Sequence, residues 1–222
     1  MFGVIGVSHY HAIYDAVAHD GAVASDMVSM KGYDRVDIVI SVGVAAGTCA
    51  VTMDKDTSVG GSGTTTLAFT DYYVSGIKVP YQTWNGTAWT ADETVTATGG
   101  LSASLEVDLG SHLLMYDWNG TTIVDGELMT GAAGATGRII GAYEYEDTLI
   151  HRDAASDTFT MSATNNLTYV IPVTAEMLGD GYDCFHVDFA DPSSTTVLMA
   201  VIAVFGAGRY KSYPTTISGI YD

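Results

Sequence analysis

The chain is expected to be mostly β: a jelly-roll-like antiparallel β-sandwich carrying an inserted β-hairpin subdomain. Three observations lead there. Threonine occurs 27 times, tyrosine 14 and glycine 25, and β-branched and aromatic side chains suit a half-buried pleated surface. Lysine and glutamate, the usual fillers of exposed helix faces, are scarce. Apolar residues make up 47% of the chain, yet they fall in short alternating runs broken by Gly, Thr, Ser and Asp, the pattern of strands and turns.

At 222 residues the chain suits one elaborated domain, or a core with an insertion. Residues 1–27 read as an N-terminal arm, 28–78 and 138–222 as the sandwich core, and 79–137 as an inserted acidic β-hairpin module. The arm mixes small, apolar and His residues without sustained alternation. A short helix is expected over Ala12 to His19, with Ile13 and Val17 on one face. Apolar arms are usually tied down by a neighbour, here another subunit.

From Tyr33 the alternation is clear: Val36, Ile38, Ile40 and Val42 share one strand face, opposite Arg35, Asp37 and Ser41. Ala45 to Gly47 is then a turn, and Cys49, Val51 and Met53 mark a hairpin partner. Asp54 to Gly63 is a loop, and extended structure resumes from Thr64. Between Val79 and Gly137 there is no Lys or Arg. Asp92, Glu93, Glu106, Asp108, Asp117, Asp125 and Glu127 give this stretch a charge of −7. Within it the tetrapeptide WNGT occurs twice, at Trp84–Thr87 and Trp118–Thr121. Asn-Gly between strand-like flanks signals a tight hairpin, so two hairpins are expected, each with Trp beside its turn. Gly131 to Gly137 reads as a flexible return.

Beyond Tyr145 alternation returns. Phe159 and Met161 share a face, as do Tyr169 and Ile171, and Cys184, His186 and Asp188 lie opposite Phe185, Val187 and Phe189. Short strands between Gly, Asp and Pro turns point to a β-sandwich. The last long strand, Val197 to Phe205, is apolar on both faces and should run through a sheet centre.

Two stretches, VSMKGYDRVDIVISVGVAAGTCAVTMDKDTSVGGSGTTTLAF within residues 27–74 and DTFTMSATNNLTYVIPVTAEMLGDGYDCFHVDFADP within 157–214, followed by a Gly-Arg-Tyr and a Pro, resemble a group of small virion-associated proteins of tailed bacteriophages. The resemblance covers a little under half of the chain. It implies a capsid-associated structural role, that of a cement or decoration subunit with jelly-roll-like topology. The stretch 79–137 departs from the family pattern and would be the outward protrusion on a shell.

Charge and motifs narrow the function classes. Eight basic against 26 acidic residues give a net charge of −18, which repels nucleic acid and anionic membranes at long range. Cys49 and Cys184 are too few for a disulfide framework and read as buried thiols. No apolar run has membrane-spanning length. There is no P-loop, dinucleotide fingerprint, nucleophile elbow or zinc-spaced Cys/His cluster, and no enzymatic activity or cofactor is expected.

The candidate metal ligands are His9 and His11, two apart in an extended arm, and Asp54 and Asp56 of a D-x-D-x-S stretch, which begins like a calcium loop but lacks its distal Glu. Solvated or packed side chains are the plainer reading of each, and a hydrogen-bonded core residue that of His186. Glu144, Glu146 and Asp147 form a further acidic group. Trp84, Trp89 and Trp118 could stack on sugars, or simply cover hairpin turns. Asn85, Asn119 and Asn166 each begin an N-x-T acceptor. The expected partners are a major capsid protein and copies of the chain itself, as a trimer, on the virion surface. The alternatives are the main jelly-roll coat protein of a tailless virus and a carbohydrate-binding adhesin using the Trp hairpins.

Overall fold

The structure, a computed structural model, describes residues 9–61, 63–119, 121–145, 149–155, 157–163, 165–193, 195–206 and 220–221. These residues are mostly β, in three antiparallel sheets with one four-residue helix, α1 (Ala175–Leu178). Strands are numbered along the chain. Sheet one runs in the order β1 (His9–His19), β19 (Val197–Phe205), β4 (Arg35–Ala45), β17 (Thr168–Thr174), β7 (Asp71–Val74) and β15 (Ile150–Asp153). Sheet two runs β16 (Phe159–Met161), β5 (Cys49–Asp56), β18 (Cys184–Phe189), β3 (Met27–Ser29) and β20 (Ile220–Tyr221), with β2 (Val23–Ala24) on β18 and β6 (Thr65–Thr66) on β5.

Alternation decides where the main core lies. β19 turns Val197, Met199, Val201, Ala203 and Phe205 inward, none more than 1% exposed, and β4 buries Val36, Ile38, Ile40 and Val42. Val51, Met53, Phe185, Val187 and Phe189 of sheet two join them in one shared core. Each fully buried large side chain contributes about 1.5–3 kcal/mol. Tyr72 stacks on Phe159 at 4.1 Å, and Phe159 lies 5.3 Å from Tyr169, so rings from both sheets close one end of this core. Cys49 and Cys184 are both buried free thiols, and burial pushes the Cys49 thiol up to about 11.

Two local expectations are corrected here. The segment expected as a helix over Ala12 to His19 is part of strand β1, paired along its length with β19. Register shifts between Ala12 and Tyr14 and between Tyr14 and Val17 interrupt the pairing, and such bulges erase the period of two that reveals a strand in sequence. From His9 onward, the arm is therefore held by its own chain; residues 1–8 lie outside the described residues. Nor do β4 and β5 form a hairpin. The two edges of β4 are taken by β19 and β17, and the chain crosses at Ala46–Gly47 into sheet two, so that both strands turn an apolar face to the same core.

The third sheet closes on itself. β8 (Ile77–Thr83) pairs with β11 (His112–Tyr116), β11 with β10 (Ser102–Asp108), β10 with β9 (Thr94–Ala97), β9 with β12 (Leu128–Gly131), β12 with β13 (Thr136–Ile139), and β13 with β8 again. β14 (Glu144–Tyr145) extends the β13 side of β8. Val79, Tyr81, Val95, Leu105, Leu113, Met115, Met129 and Ile139 fill this barrel as a second core, as inward side chains fill other small barrels.

The barrel is built twice over from one unit. The WNGT copies are 118 − 84 = 34 residues apart, and the same step carries β9 onto β12, β8 onto β11 to within one residue, and the first residue of β10 onto the first of β13, which is the shorter strand. Hydrogen bonds repeat with it: Leu105 N–H donates to Glu93 C=O at 2.9 Å, and Ile139 N–H to Glu127 C=O at 2.9 Å. The WNGT copies therefore do not sit at hairpin turns, since β8 and β9 are not neighbours and neither are β11 and β12. Each Asn instead ties the hairpin of the other unit. Asn85 Nδ2 donates to Gly134 C=O at 2.9 Å, and Asn119 Nδ2 to Gly100 C=O at 2.8 Å. Gly131 to Gly137 is that β12–β13 hairpin, not a flexible return. A Cβ on Gly131 would fall 2.5 Å from the Glu93 carboxylate, which accepts from Thr90 N–H and Ala133 N–H at 2.7 and 2.8 Å.

Because the two Asn residues hold equivalent places, Asn85→Ala and Asn119→Ala should each lower stability by about 0.5–1.5 kcal/mol, the loss of hydrogen bonds at an exposed site. Urea denaturation of the two variants checks this; a cost at one site alone would break the equivalence.

Candidate functional site

The three tryptophans do not form one platform. Trp89 and Trp118 are buried in the barrel core, where Trp89 meets Tyr81 edge-on at 5.8 Å and Trp118 packs 5.0 Å from Tyr143 and donates its Nε1–H to Thr121 C=O at 3.0 Å. Trp84 is 63% exposed, with the Arg138 guanidinium 5.0 Å from its ring. Side-chain burial separates residues that look alike in sequence, because the barrel wall covers one Trp of the repeat and leaves the other open.

Of the candidate metal ligands, the described ones take different roles. The side chain of His9 is outside the described residues, and Glu146 and Asp147 are too. His11 packs against Phe205 at 6.4 Å. Asp56 is fully buried and accepts from Ser58 N–H at 3.0 Å and Gly63 N–H at 3.1 Å, so it shapes the loop that follows β5. Asp54 joins two residues not considered with it: the ligand atoms of Asp54, His186 and Asp188 lie within 4.8 Å of one another. His186 is the cross-strand partner of Asp54 in the β5–β18 register, and Asp188, two residues on, shares its face. His186 Nε2 lies 3.2 Å from Asp188 Oδ2, and that bond, with the nearby Asp charges, outweighs burial and holds the imidazole above its usual range. A second group, Asp71, His151 and Asp153, lies on the exposed β7–β15 edge, with His151 Nε2 2.6 Å from Asp71 Oδ1. The only hint of either in sequence is a His and an Asp two or fewer places apart; the partner Asp comes from a distant strand.

Where barrel meets core, Arg152 of β15 acts as a clasp. Its Nη1 donates to Asp92 Oδ1 at 2.8 Å and lies 3.5 Å from Glu106 Oε2, while the guanidinium sits 4.1 Å over the Tyr116 ring. Tyr116 O–H donates to the same Asp92 oxygen at 2.8 Å. Arg152 and Tyr116 hold the Asp92 carboxyl below its ordinary value. Burial raises Asp117, with Arg152 opposing it.

The outward face of sheet one is apolar along its central strands. β19 presents Leu198, Ala200, Ile202 and Val204, all half-buried, opposite its core residues. In register, Ala12, Ile202, Val39, Val170 and Tyr73 form one row across β1, β19, β4, β17 and β7, roughly 19 Å wide at normal strand spacing. A groove of about 240 Å³ runs along it, lined by Val39, Tyr73, Leu149, Val170 and Val204 together with Arg35 and Asp37. The charged residues among the outward positions of β19, β4 and β17 are Arg35 and Asp37, which pair at 2.7 Å. The face can bind by apolar burial, and the His–carboxylate groups bring together ligand atoms of the kind that cations take.

No protein-family model matches the chain, and neither the curated proteins nor the solved structures contain a match.

Replacing Arg152 by Met should cost about 1–2 kcal/mol at pH 7, from one ion-pair network and one cation–π contact. A depressed carboxylate adds stability above its unfolded value, near 4, and loses it as pH falls through the folded value. The gap between wild type and variant in urea melts should therefore be full at pH 6–7 and close progressively below about pH 4.

Proposed function

We propose that the chain is an accessory structural subunit of a virus shell, a cement or decoration protein that docks through the outward face of sheet one. The observation that carries this reading is the strand order. With β1, β3, β4, β5, β16, β17, β18 and β19 taken as eight strands in chain order, the first pairs with the eighth, the second with the seventh, the third with the sixth and the fourth with the fifth. That nested pairing is expected of a jelly roll, the architecture of many viral shell domains, and it supports the finer fold reading.

Two further features favour a shell position. An apolar row several strands wide exceeds the scattered apolar residues of ordinary monomer surfaces, and stable interfaces need roughly 800 Å² from each partner. Repeated by symmetry, such contacts with a major capsid protein and with copies of the chain, as a trimer, would sum to firm attachment. The net charge of −18 disfavours a surface lining packaged nucleic acid, and so favours the outside. The barrel, inserted between the fourth and fifth strands, would then face solvent. Burial of Trp89 and Trp118 leaves a glycan-binding reading only Trp84 as a stacking ring.

The test is saturable binding to shells stripped of this protein, counted as copies per particle, with Ile202→Glu and Val39→Glu as variants. Both side chains point out of the core, so circular dichroism should remain that of the wild type while binding weakens at least about tenfold; 1.4 kcal/mol of lost apolar burial suffices. A wild-type chain that stays monomeric and leaves stripped shells bare overturns the proposal. Closed shells built from the chain alone would make it a coat protein instead.

A further inference from the structure

We propose that Asp54, His186 and Asp188 bind one divalent cation of the zinc class, a staple between β5 and β18 on the outward side of sheet two. The site is built by the sheet itself. Cross-strand pairing sets His186 directly against Asp54, and the period of two brings Asp188 to the same face. Their ligand atoms already lie within 4.8 Å of one another, before any ion draws them together.

The donor set is one imidazole nitrogen and two carboxylates. Zinc accepts both ligand types, whereas calcium favours a shell of oxygens. The side chains of His186 and Asp188 are 14% and 34% exposed, so the two carboxylates crowd together in a partly desolvated place, where like charges repel more strongly than in water. A divalent cation cancels both. The ring is also not saturated by protein contacts: Nε2 has Asp188, but Nδ1 is buried without a hydrogen-bond partner. The group Asp71, His151 and Asp153 is more open and its imidazole is held by Asp71 at 2.6 Å, which makes it the internal control.

Isothermal titration of the full chain with zinc chloride tests the assignment, alongside His186→Gln, Asp54→Asn and His151→Gln. These residues lie outside both cores, and circular dichroism verifies that each variant folds. Wild type and His151→Gln should bind one zinc at this site and melt at a higher temperature with zinc present. His186→Gln and Asp54→Asn should lose that binding or weaken it at least about tenfold. Absence of saturable binding by the wild type, or zinc binding and thermal shifts unchanged in His186→Gln, overturns the site. None of these outcomes depends on shell attachment.

Discussion

β19 has no polar side. Val197, Met199, Val201, Ala203 and Phe205 point one way, and Leu198, Ala200, Ile202 and Val204 the other. Such a strand needs hydrogen-bonding neighbours on both edges and apolar cover on both faces, since water compensates neither. β1 and β4 provide the edges, and the inward residues of sheet two cover one face. The arrangement of the larger core follows from that demand: β4 cannot pair with β5, because β19 occupies the edge a hairpin would use, and the chain must pass between sheets. On the other face the neighbouring strands add Val39, Val170 and Tyr73 to the row, beside the Arg35–Asp37 pair. The same double-sided strand that organises the core thus also generates the surface best suited to a partner.

The barrel answers a different problem. A stretch without Lys or Arg and with charge −7 cannot hold itself together by ion pairs, and its strands are short. Closure removes the sheet edges, duplication supplies two copies of one packing solution, and exchange of the Asn ties locks each half to the other. Attachment to the larger core includes Arg152, Tyr116 and the partly buried Leu114. Tyr116 belongs to a barrel strand but buries its ring in the main core, so an aromatic ring and a guanidinium are among the groups that join the two hydrophobic units.

Scarcity makes the positive charges informative. Arg35 neutralises Asp37 on the apolar face, Arg138 lies over Trp84, Arg152 clasps the barrel, and Lys55 Nζ donates to Leu178 C=O at 2.7 Å while lying over the Tyr182 ring. Each is spent on a specific contact, leaving much of the acidity to be balanced from outside the chain. A net charge of −18 makes copies of the chain repel at long range, so contacts between them are favoured where charge is sparse, as along the apolar row of sheet one.

Sequence by itself determined what depends on neighbours along the chain. Composition and the period of two identified a β protein, placed Val36, Ile38, Ile40 and Val42 inward, set Phe185, Val187 and Phe189 opposite His186 and Asp188, and put β19 inside a sheet. Even the barrel's duplication was legible, in the 34-residue spacing of Trp84, Asn85, Glu93 and Gly100 from Trp118, Asn119, Glu127 and Gly134. Tertiary structure alone decided what depends on pairing between distant strands. It made Ala12 to His19 a bulged strand, because β19 offered an open edge that local propensity does not record. It buried Trp89 and Trp118 while exposing Trp84, made Asp54 to Asp56 the end of β5 where a loop was expected, and brought Asp54 to His186 and Asp188. Register across a sheet is fixed by which apolar faces must share a core, and that choice belongs to the whole chain rather than to any window of it.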